Sequence, residues 1–244
     1  MSFSVLSPDV FLNCMPLLLS IDTSTATCSV ALHRDGFLLG CYELFTERTS
    51  AAMLTTLIDD VVRHTGHTLE HLDAVAVAKG PGSYTGLRIA VSTAKGLCFA
   101  LDKPLLAINT LAGMTEQIRH SFQTGTMLCP MIDARRMEVY CALYDVTGQE
   151  LVSTSAQIID ENSFSQWLAQ GPVVFFGDGA EKCRVLLAQQ PNTFFPTVSV
   201  VPSARTIGQL ATTAFAEGRF ENVATFEPFY LKDFMTTQPK KIGI

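Results

Sequence analysis

Charged side chains are scarce in this sequence of 244 residues. They make up 16% of the chain, whereas about 25% is usual in soluble domains. The formal net charge is −6, and no long run of Lys or Arg occurs. A protein that binds nucleic acid by itself normally presents a basic patch, because neutralising phosphates dominates the affinity. The composition therefore argues against direct nucleic-acid binding by this chain alone.

Membrane-spanning and secretory patterns are also missing. No apolar run approaches the roughly 20 residues that a transmembrane helix needs. Residues 1–14 lack the Lys/Arg-rich start of a signal peptide. We therefore predict a cytoplasmic protein that makes no membrane contact.

Motifs for nucleophilic catalysis and for structural zinc are absent as well. The seven cysteines are widely spaced and form no C-x-x-C pair, so a zinc ribbon or a thioredoxin-type motif has no support. Most of them lie in apolar segments, which is typical of buried free thiols in a reducing compartment. No G-x-S-x-G elbow occurs. We predict no catalytic residue and no metal ligand.

Strand and helix patterns alternate along the chain. Short apolar runs predict strands at 17–21, 28–33, 37–45, 74–78, 105–108, 126–132, 137–144 and 173–176. Helical spacing predicts helices at 49–64, 110–122, 164–169, 181–189 and 204–218, and a further helix that follows the loop at 79–88 and ends at about residue 100. This alternation indicates an α/β protein. Because Pro104 breaks the pattern, we predict an extension at 1–14, an N-terminal lobe at 15–104, and a C-terminal lobe at 105–244 with a late helix and tail.

Asp22, Thr23 and Ser24 follow the first strand and precede the second. A carboxylate attracts Mg²⁺, and the backbone N–H groups of such a turn can face a phosphate. An ordinary Asx turn is the competing interpretation and explains the same residues.

A glycine-rich loop joins the strand at 74–78 to the following helix. Its spacing matches neither the Walker A pattern nor G-x-G-x-x-G. Glycines allow a backbone to approach a ligand closely, and a helix N-terminus attracts anions. A sharp strand-to-helix turn would need the same glycines. The residues of this candidate nucleotide loop are Gly80, Gly82, Ser83, Thr85, Gly86 and Arg88.

Four segments in this order resemble the TsaB family, also called YeaZ. They read L-L-S-I-D-T-S at 18–24, K-G-P-G-S-Y-T-G-L-R-I at 79–89, A-I-N-T-L at 107–111 and I-D-A-R-R-M-E-V-Y at 132–140. The resemblance implies a two-lobed actin/hexokinase-like (ASKHA) fold, with a mixed five-stranded sheet and helices in each lobe. It also implies a role in making threonylcarbamoyladenosine next to the anticodon of tRNA.

The partners follow from the same resemblance. The paralogue TsaD carries out the transfer, TsaE is the ATPase, and members of the family form homodimers through the N-terminal lobe. We expect this chain to contact tRNA only through that complex. We expect no tightly bound cofactor, with a nucleotide at the partner interface as the alternative. On this interpretation the two loops are vestigial or lie at that interface.

One segment separates this chain from TsaD. The TsaD family carries a metal-binding N-H-x-E-x-H stretch, and here Thr110 and Met114 stand where its two histidines would be. Neither side chain replaces an imidazole as a metal ligand. Two alternatives stay open: a small-molecule ASKHA kinase, with Gly177, Asp178 and Gly179 as its second phosphate loop, and a metallopeptidase using His67 and His71.

Apolar helix faces are the candidate partner surface. Helix 49–64 carries Met53, Leu57 and Val61 beside three further apolar residues. The helix after the glycine loop is rich in small residues, including Ala90 and Ala94. We predict that these five residues pack against the equivalent helix pair of TsaD or of a second copy. The charged cluster of Asp133, Arg135, Arg136 and Glu138 has two open interpretations, a ligand contact and a solvated turn.

Overall fold

The computed structural model of the protein describes residues 15–45 and 50–231. The strands are β1 (Leu17–Asp22), β2 (Cys28–Arg34), β3 (Phe37–Leu44), β4 (Ala74–Gly80), β5 (Leu105–Asn109), β6 (Met127–Asp133), β7 (Glu138–Asp145), β8 (Glu150–Ile158), β9 (Val173–Phe176) and β10 (Thr193–Phe194). The α-helices are α1 (Ser50–His64), α2 (Tyr84–Leu101), α3 (Thr110–Ile118), α4 (Ser165–Leu168), α5 (Asp178–Leu187) and α6 (Ala204–Ala216).

The strands form two five-stranded sheets with the same topology. The first has the order β3-β2-β1-β4-β5 and the second the order β8-β7-β6-β9-β10. In each sheet, three strands pair antiparallel and two further strands run parallel to the first. The second half of the fold therefore repeats the first, with β6 as the counterpart of β1 and α5 as the counterpart of α2. This is the predicted two-lobed actin/hexokinase-like architecture.

Helices cover the first sheet on both faces. On one face, α1 and α2 bury apolar side chains against β1, β2 and β4, among them Leu54, Ile58 and Val91. On the other face, α6 packs Ile207 and Phe215 against β1, β4 and β5. Burial on both faces explains why β1 and β4 have continuous rather than alternating apolar sequences.

The second sheet is covered in the same way. Leu111 and Met114 of α3 pack on one face, and α4 and α5 pack on the other. The inner helices of the two lobes touch, because a Cβ on Gly113 of α3 would lie 2.8 Å from a methyl group of Ile207 in α6. The two lobes therefore share a helical layer between their sheets.

The structure corrects the predicted lobe boundary. Strand β5 follows Pro104 but pairs with β4 in the first sheet, so the N-terminal sheet ends at Asn109. Helix α6 lies late in the chain but covers that same sheet. Both corrections concern strand pairing and helix packing between segments that are distant in sequence. Residues 1–14, predicted to be an extension, lie outside the described residues.

Two strands were not predicted, and one helix begins earlier than expected. Strand β8 has the mixed sequence E-L-V-S-T-S-A-Q-I and lies at a sheet edge, and β10 has two residues. Edge strands have weak apolar patterns because solvent contacts part of their surface. Helix α5 begins at Asp178 rather than at Glu181.

Candidate functional site

The turn after β1 is built around one buried carboxylate. Oδ1 of Asp22 accepts hydrogen bonds from the backbone N–H of Ser24 at 2.8 Å and from its hydroxyl at 2.6 Å. The side chain is 1% exposed, and burial raises its pKa to about 6, against the lowering effect of the Ser24 hydrogen bonds. Among the described residues, Oδ2 finds no hydrogen-bond donor. The geometry is that of an Asx turn.

The glycine loop packs directly onto this turn. The Ser83 N–H donates to the Ser24 carbonyl at 2.6 Å, and the Thr23 hydroxyl donates to the Gly86 carbonyl at 2.7 Å. A Cβ on Gly82 would overlap the Ser24 carbonyl, and one on Gly86 would overlap the Thr23 carbonyl. These two glycines are therefore required by contact between the loops.

The remaining predicted loop residues have separate roles. The Ser83 hydroxyl caps α2 by accepting from the Gly86 N–H at 3.3 Å, while Thr85 is exposed. Gly80 has a φ of +113°, in a region that favours glycine. The structure therefore places the turn of Asp22, Thr23 and Ser24 directly against the glycine loop.

The chain's C-terminal segment covers the glycine loop. The Phe229 N–H donates to the Lys79 carbonyl at 2.7 Å. The Tyr230 ring lies 4.9 Å from that of Tyr84, and its hydroxyl accepts from Nε of Arg88 at 3.3 Å. Sequence analysis missed this contact, since nothing in the local pattern of residues 227–231 indicates which surface they cover.

The second lobe repeats the arrangement with different side chains. Asp133 ends β6, as Asp22 ends β1, and its carboxylate forms an ion pair with Lys182 of α5. Burial acts to raise the pKa of Asp133, but the hydrogen bond from Lys182 is among the effects that leave it lowered. The Asp133 N–H donates to Asp178 at 3.0 Å. A Cβ on Gly177 would overlap the Met131 carbonyl, so this predicted second loop also packs against its neighbouring strand.

The charged cluster forms the β6–β7 turn. Arg135 and Arg136 are exposed and have φ values of 73° and 51°. The Ala134 N–H donates to the Glu138 carbonyl at 3.0 Å, which closes the turn. The structure thus has a solvated hairpin here, one of the two interpretations left open by the sequence.

Known proteins place the chain in a family. A protein-family model described as "TsaD: tRNA N6-adenosine threonylcarbamoyltransferase" matches residues 44–234. The chain is 30% identical over 220 residues to the tRNA threonylcarbamoyladenosine biosynthesis protein TsaB of Escherichia coli, with 88% of this chain and 94% of that protein covered. The chain belongs to the TsaB family.

A solved TsaB-family structure supports the assignment. YeaZ from Pseudomonas aeruginosa is 31% identical, has a TM-score of 0.76 and is matched over its whole length by 89% of this chain. A TsaD transferase of Staphylococcus saprophyticus matches over only 60 residues, which is 18% of its length, at 42% identity. The likeness to this single transferase is therefore confined to a segment, whereas the likeness to the TsaB of Escherichia coli covers most of the chain.

The segment expected to distinguish TsaB from TsaD is part of the core. Asn109 caps α3 through bonds from the N–H groups of Leu111 and Ala112. Thr110 and Met114, which we expect at the positions of the two TsaD histidines, are both fully buried. His71 ends a short 3-10 turn at Leu69–His71, His67 lies just before that turn, and their rings are 6.0 Å apart. Within residues 15–45 and 50–231, no group of three metal-ligating side chains is arranged to hold an ion.

The predicted partner surface needs correction. Leu57 and Val61 are 6% and 1% exposed, and Ala90 and Ala94 are 1% and 0% exposed, all within the core beneath α1 and α2. Only Met53 is partly accessible. The stripe on α1 is broad because this helix contacts both the sheet and α2. The four buried residues cannot contact a partner directly.

Unlike Ala90 and Ala94, two residues on the outer face of α2 are open to solvent. Phe99 is 86% exposed, and a Cβ on Gly96 would have nothing within 4 Å.

In the part of the chain that the structure describes, no helix is long and apolar enough to cross a membrane.

Proposed function

We propose that this TsaB-family chain is the non-catalytic partner of a TsaD transferase, acting with the ATPase TsaE in forming threonylcarbamoyladenosine in tRNA. The observation that carries the proposal is that Thr110 and Met114, rather than imidazoles, occupy the positions at which the resemblance places two metal-ligating histidines of the TsaD family. Both side chains are buried in packed positions. An imidazole pair could not be restored there without rebuilding the core.

The state of the nucleotide loops supports the same proposal. Contact between the loops, together with the tail, accounts for the close approaches at Gly80, Gly82 and Gly86. In the second lobe, Lys182 already neutralises Asp133, which disfavours the kinase alternative. We therefore expect weak or no binding when the chain alone is titrated calorimetrically with ATP and Mg²⁺. Micromolar affinity would support an enzymatic function instead.

The partner surface that we propose is the outer face of α2, with the adjoining exposed face of α1. A large aromatic side chain such as Phe99 can act as an anchor that becomes buried in the centre of an interface. Gly96 lies one turn before Phe99 and allows a partner helix to approach closely. A second copy of this chain and TsaD would compete for this face, so the homodimer and the TsaD complex would exclude each other.

Reconstitution tests the function and the surface separately. Purified TsaD, TsaE, tRNA and the other reactants are assayed for threonylcarbamoyladenosine with and without this chain. We expect product only when both TsaD and this chain are present. Product formed by this chain without TsaD, or by TsaD at full rate without this chain, would contradict the non-catalytic partner role.

A matched pair of variants tests the surface. Phe99→Asp on α2 should abolish both capture of TsaD and support of the reaction, while Val185→Asp should leave both unchanged. Val185 is a suitable control because it is 77% exposed but lies on α5 in the other lobe. If the Phe99→Asp variant captured as much TsaD as the unmodified chain, this surface would be ruled out. The reconstitution would still test the partner role.

A further inference from the structure

The two lobes differ in how the outer face of their sheets is covered. In the first lobe, the segment between β3 and β4 contains α1, a helix of 15 residues that packs on β2 and β3. The corresponding segment of the second lobe, between β8 and β9, contains only the four-residue helix α4. The shorter helix leaves part of β7 and β8 uncovered.

A cavity of about 420 Å³ occupies this position. Its volume lies within the range of roughly 300–1,000 Å³ that is typical of small-molecule sites. Leu143 and Val152 line it from the sheet, and Phe164 and Trp167 line it from the α4 segment. Both aromatic side chains also pack against the buried core of this lobe, so the aromatic wall is anchored rather than free to collapse.

The polar groups around the cavity define the class of ligand. Gln157 and Asn162 also line it, and amide side chains offer both hydrogen-bond donors and acceptors. Among the described residues that line the cavity, none carries a charge. A phosphate or carboxylate placed inside would therefore lose hydration without gaining a counter-ion.

We propose that this cavity binds the base of a nucleoside. A base is flat and uncharged, it stacks on aromatic side chains, and its edges bond to amides in the way that this lining allows. The base can come from a free nucleoside or from an unpaired position of an RNA strand. The proposal does not depend on the partner surface of α2, which lies in the other lobe.

Trp167 is the only tryptophan of the chain, so its fluorescence reports on the cavity directly. The full chain is titrated with adenosine, with AMP and with a short single-stranded oligoadenylate. We expect a saturable change with adenosine and no tighter binding of AMP. Tighter binding of the oligoadenylate would identify RNA as the source of the base, and equal or weaker binding would identify a free nucleoside.

Two variants and one control locate the binding, with isothermal calorimetry as a second readout. Val152→Phe fills the cavity and Gln157→Leu removes an amide, and each should weaken adenosine binding about tenfold or more. Val185→Phe, on the exposed face of α5, should not change it. Thermal melts verify that all three variants fold. Absence of saturable binding to the unmodified chain, or unchanged affinity in both folded cavity variants, would overturn the proposal. Neither result would affect the proposed partnership with TsaD.

Discussion

Gly82 and Gly86 lie where the backbone of one loop touches the backbone of another. A Cβ at either position would lie much closer to a carbonyl oxygen of the β1–β2 turn than van der Waals contact allows. These oxygens belong to the main chain and cannot move as the end of a flexible side chain could. A methyl group at either position would therefore push the two loops apart and destabilise the fold.

Alanine substitutions test this requirement. Gly86→Ala should lower the free energy of unfolding by more than about 2 kcal/mol, because the loops must separate to accept the methyl group. Gly96→Ala, on the open face of α2, should raise it by about 0.5–1 kcal/mol through better helix propensity. Urea denaturation measures both. Equal effects of the two substitutions would show that contact between the loops does not determine the need for glycine.

Asp22 should make stability depend on pH in an unusual direction. Its pKa is raised by burial from the ordinary 3.8 to about 6, so the folded state holds the proton more tightly than the unfolded state. The stabilisation that this difference adds to the free energy of unfolding is therefore full below about pH 4 and is lost as the pH rises through 6. For this single group, acid stabilises the fold.

Asp22→Asn should remove that dependence. The amide keeps an oxygen for Ser24 and carries no charge, so we expect a gain on the order of 2–3 kcal/mol at pH 7.5 and little difference from the unmodified chain at pH 4. Asp59→Asn, at an exposed position of α1, serves as the control. Thermal melts between pH 4 and 7.5 measure the effect, and parallel pH profiles for the Asp22→Asn variant and the unmodified chain would contradict it.

At the scale of the element, helix α1 has one buried face and one exposed face. Leu57 faces the sheet and is 6% exposed, whereas the neighbouring Thr56 is exposed. The apolar stripe of α1 packs against the chain's own sheet and against α2. The outer faces of the two helices remain for any partner.

An acidic substitution distinguishes the two faces. Leu57→Asp should destabilise the fold by more than about 4 kcal/mol, because it buries an unpaired charge. Thr56→Asp should change stability by less than about 0.5 kcal/mol. Circular dichroism during urea denaturation compares them. A Leu57→Asp variant as stable as the Thr56→Asp variant would mean that this face of α1 is accessible to solvent.

At the scale of the whole molecule, the first sheet depends on the end of the chain. Helix α6 covers a face formed by Leu18, Ala76 and Ile108 together with other buried residues. The chain then returns to β5, where the Glu221 N–H donates to the Leu105 carbonyl at 2.8 Å. The first lobe is therefore not a continuous segment of sequence, because α6 and the residues after it return to its sheet.

Truncation tests this dependence. A fragment that ends at Asn109 contains all five strands of the first sheet but lacks α6, so we expect it to be unfolded or aggregated. Joining residues 201–231 to that fragment through a flexible linker should restore a soluble fold. Dispersion of amide signals in NMR spectra compares the two. A well-folded fragment without α6 would contradict the structural role assigned to this helix.

Much of this fold was predictable because local patterns and burial agreed. The runs L-L-L-S-I at 17–21 and A-V-A-V-A at 74–78 are buried throughout, so their apolar character indicated central strands. Asp-Gly at positions 35–36 is a sequence typical of a two-residue hairpin, and both residues adopt the positive φ that such a turn needs. Strand β8 was missed because its edge position leaves its sequence largely polar.

The sequence by itself determined the class of fold, the family and the presence of Thr110 and Met114 at the start of α3, because these depend on which residues occur and in what order. Only the tertiary structure decided what the glycines and apolar stripes contact. Gly82 could serve a ligand or a neighbouring loop, and Leu57 could face a partner or the sheet. In each case the local sequence is the same, and the difference comes from which distant segment the folded chain places against it.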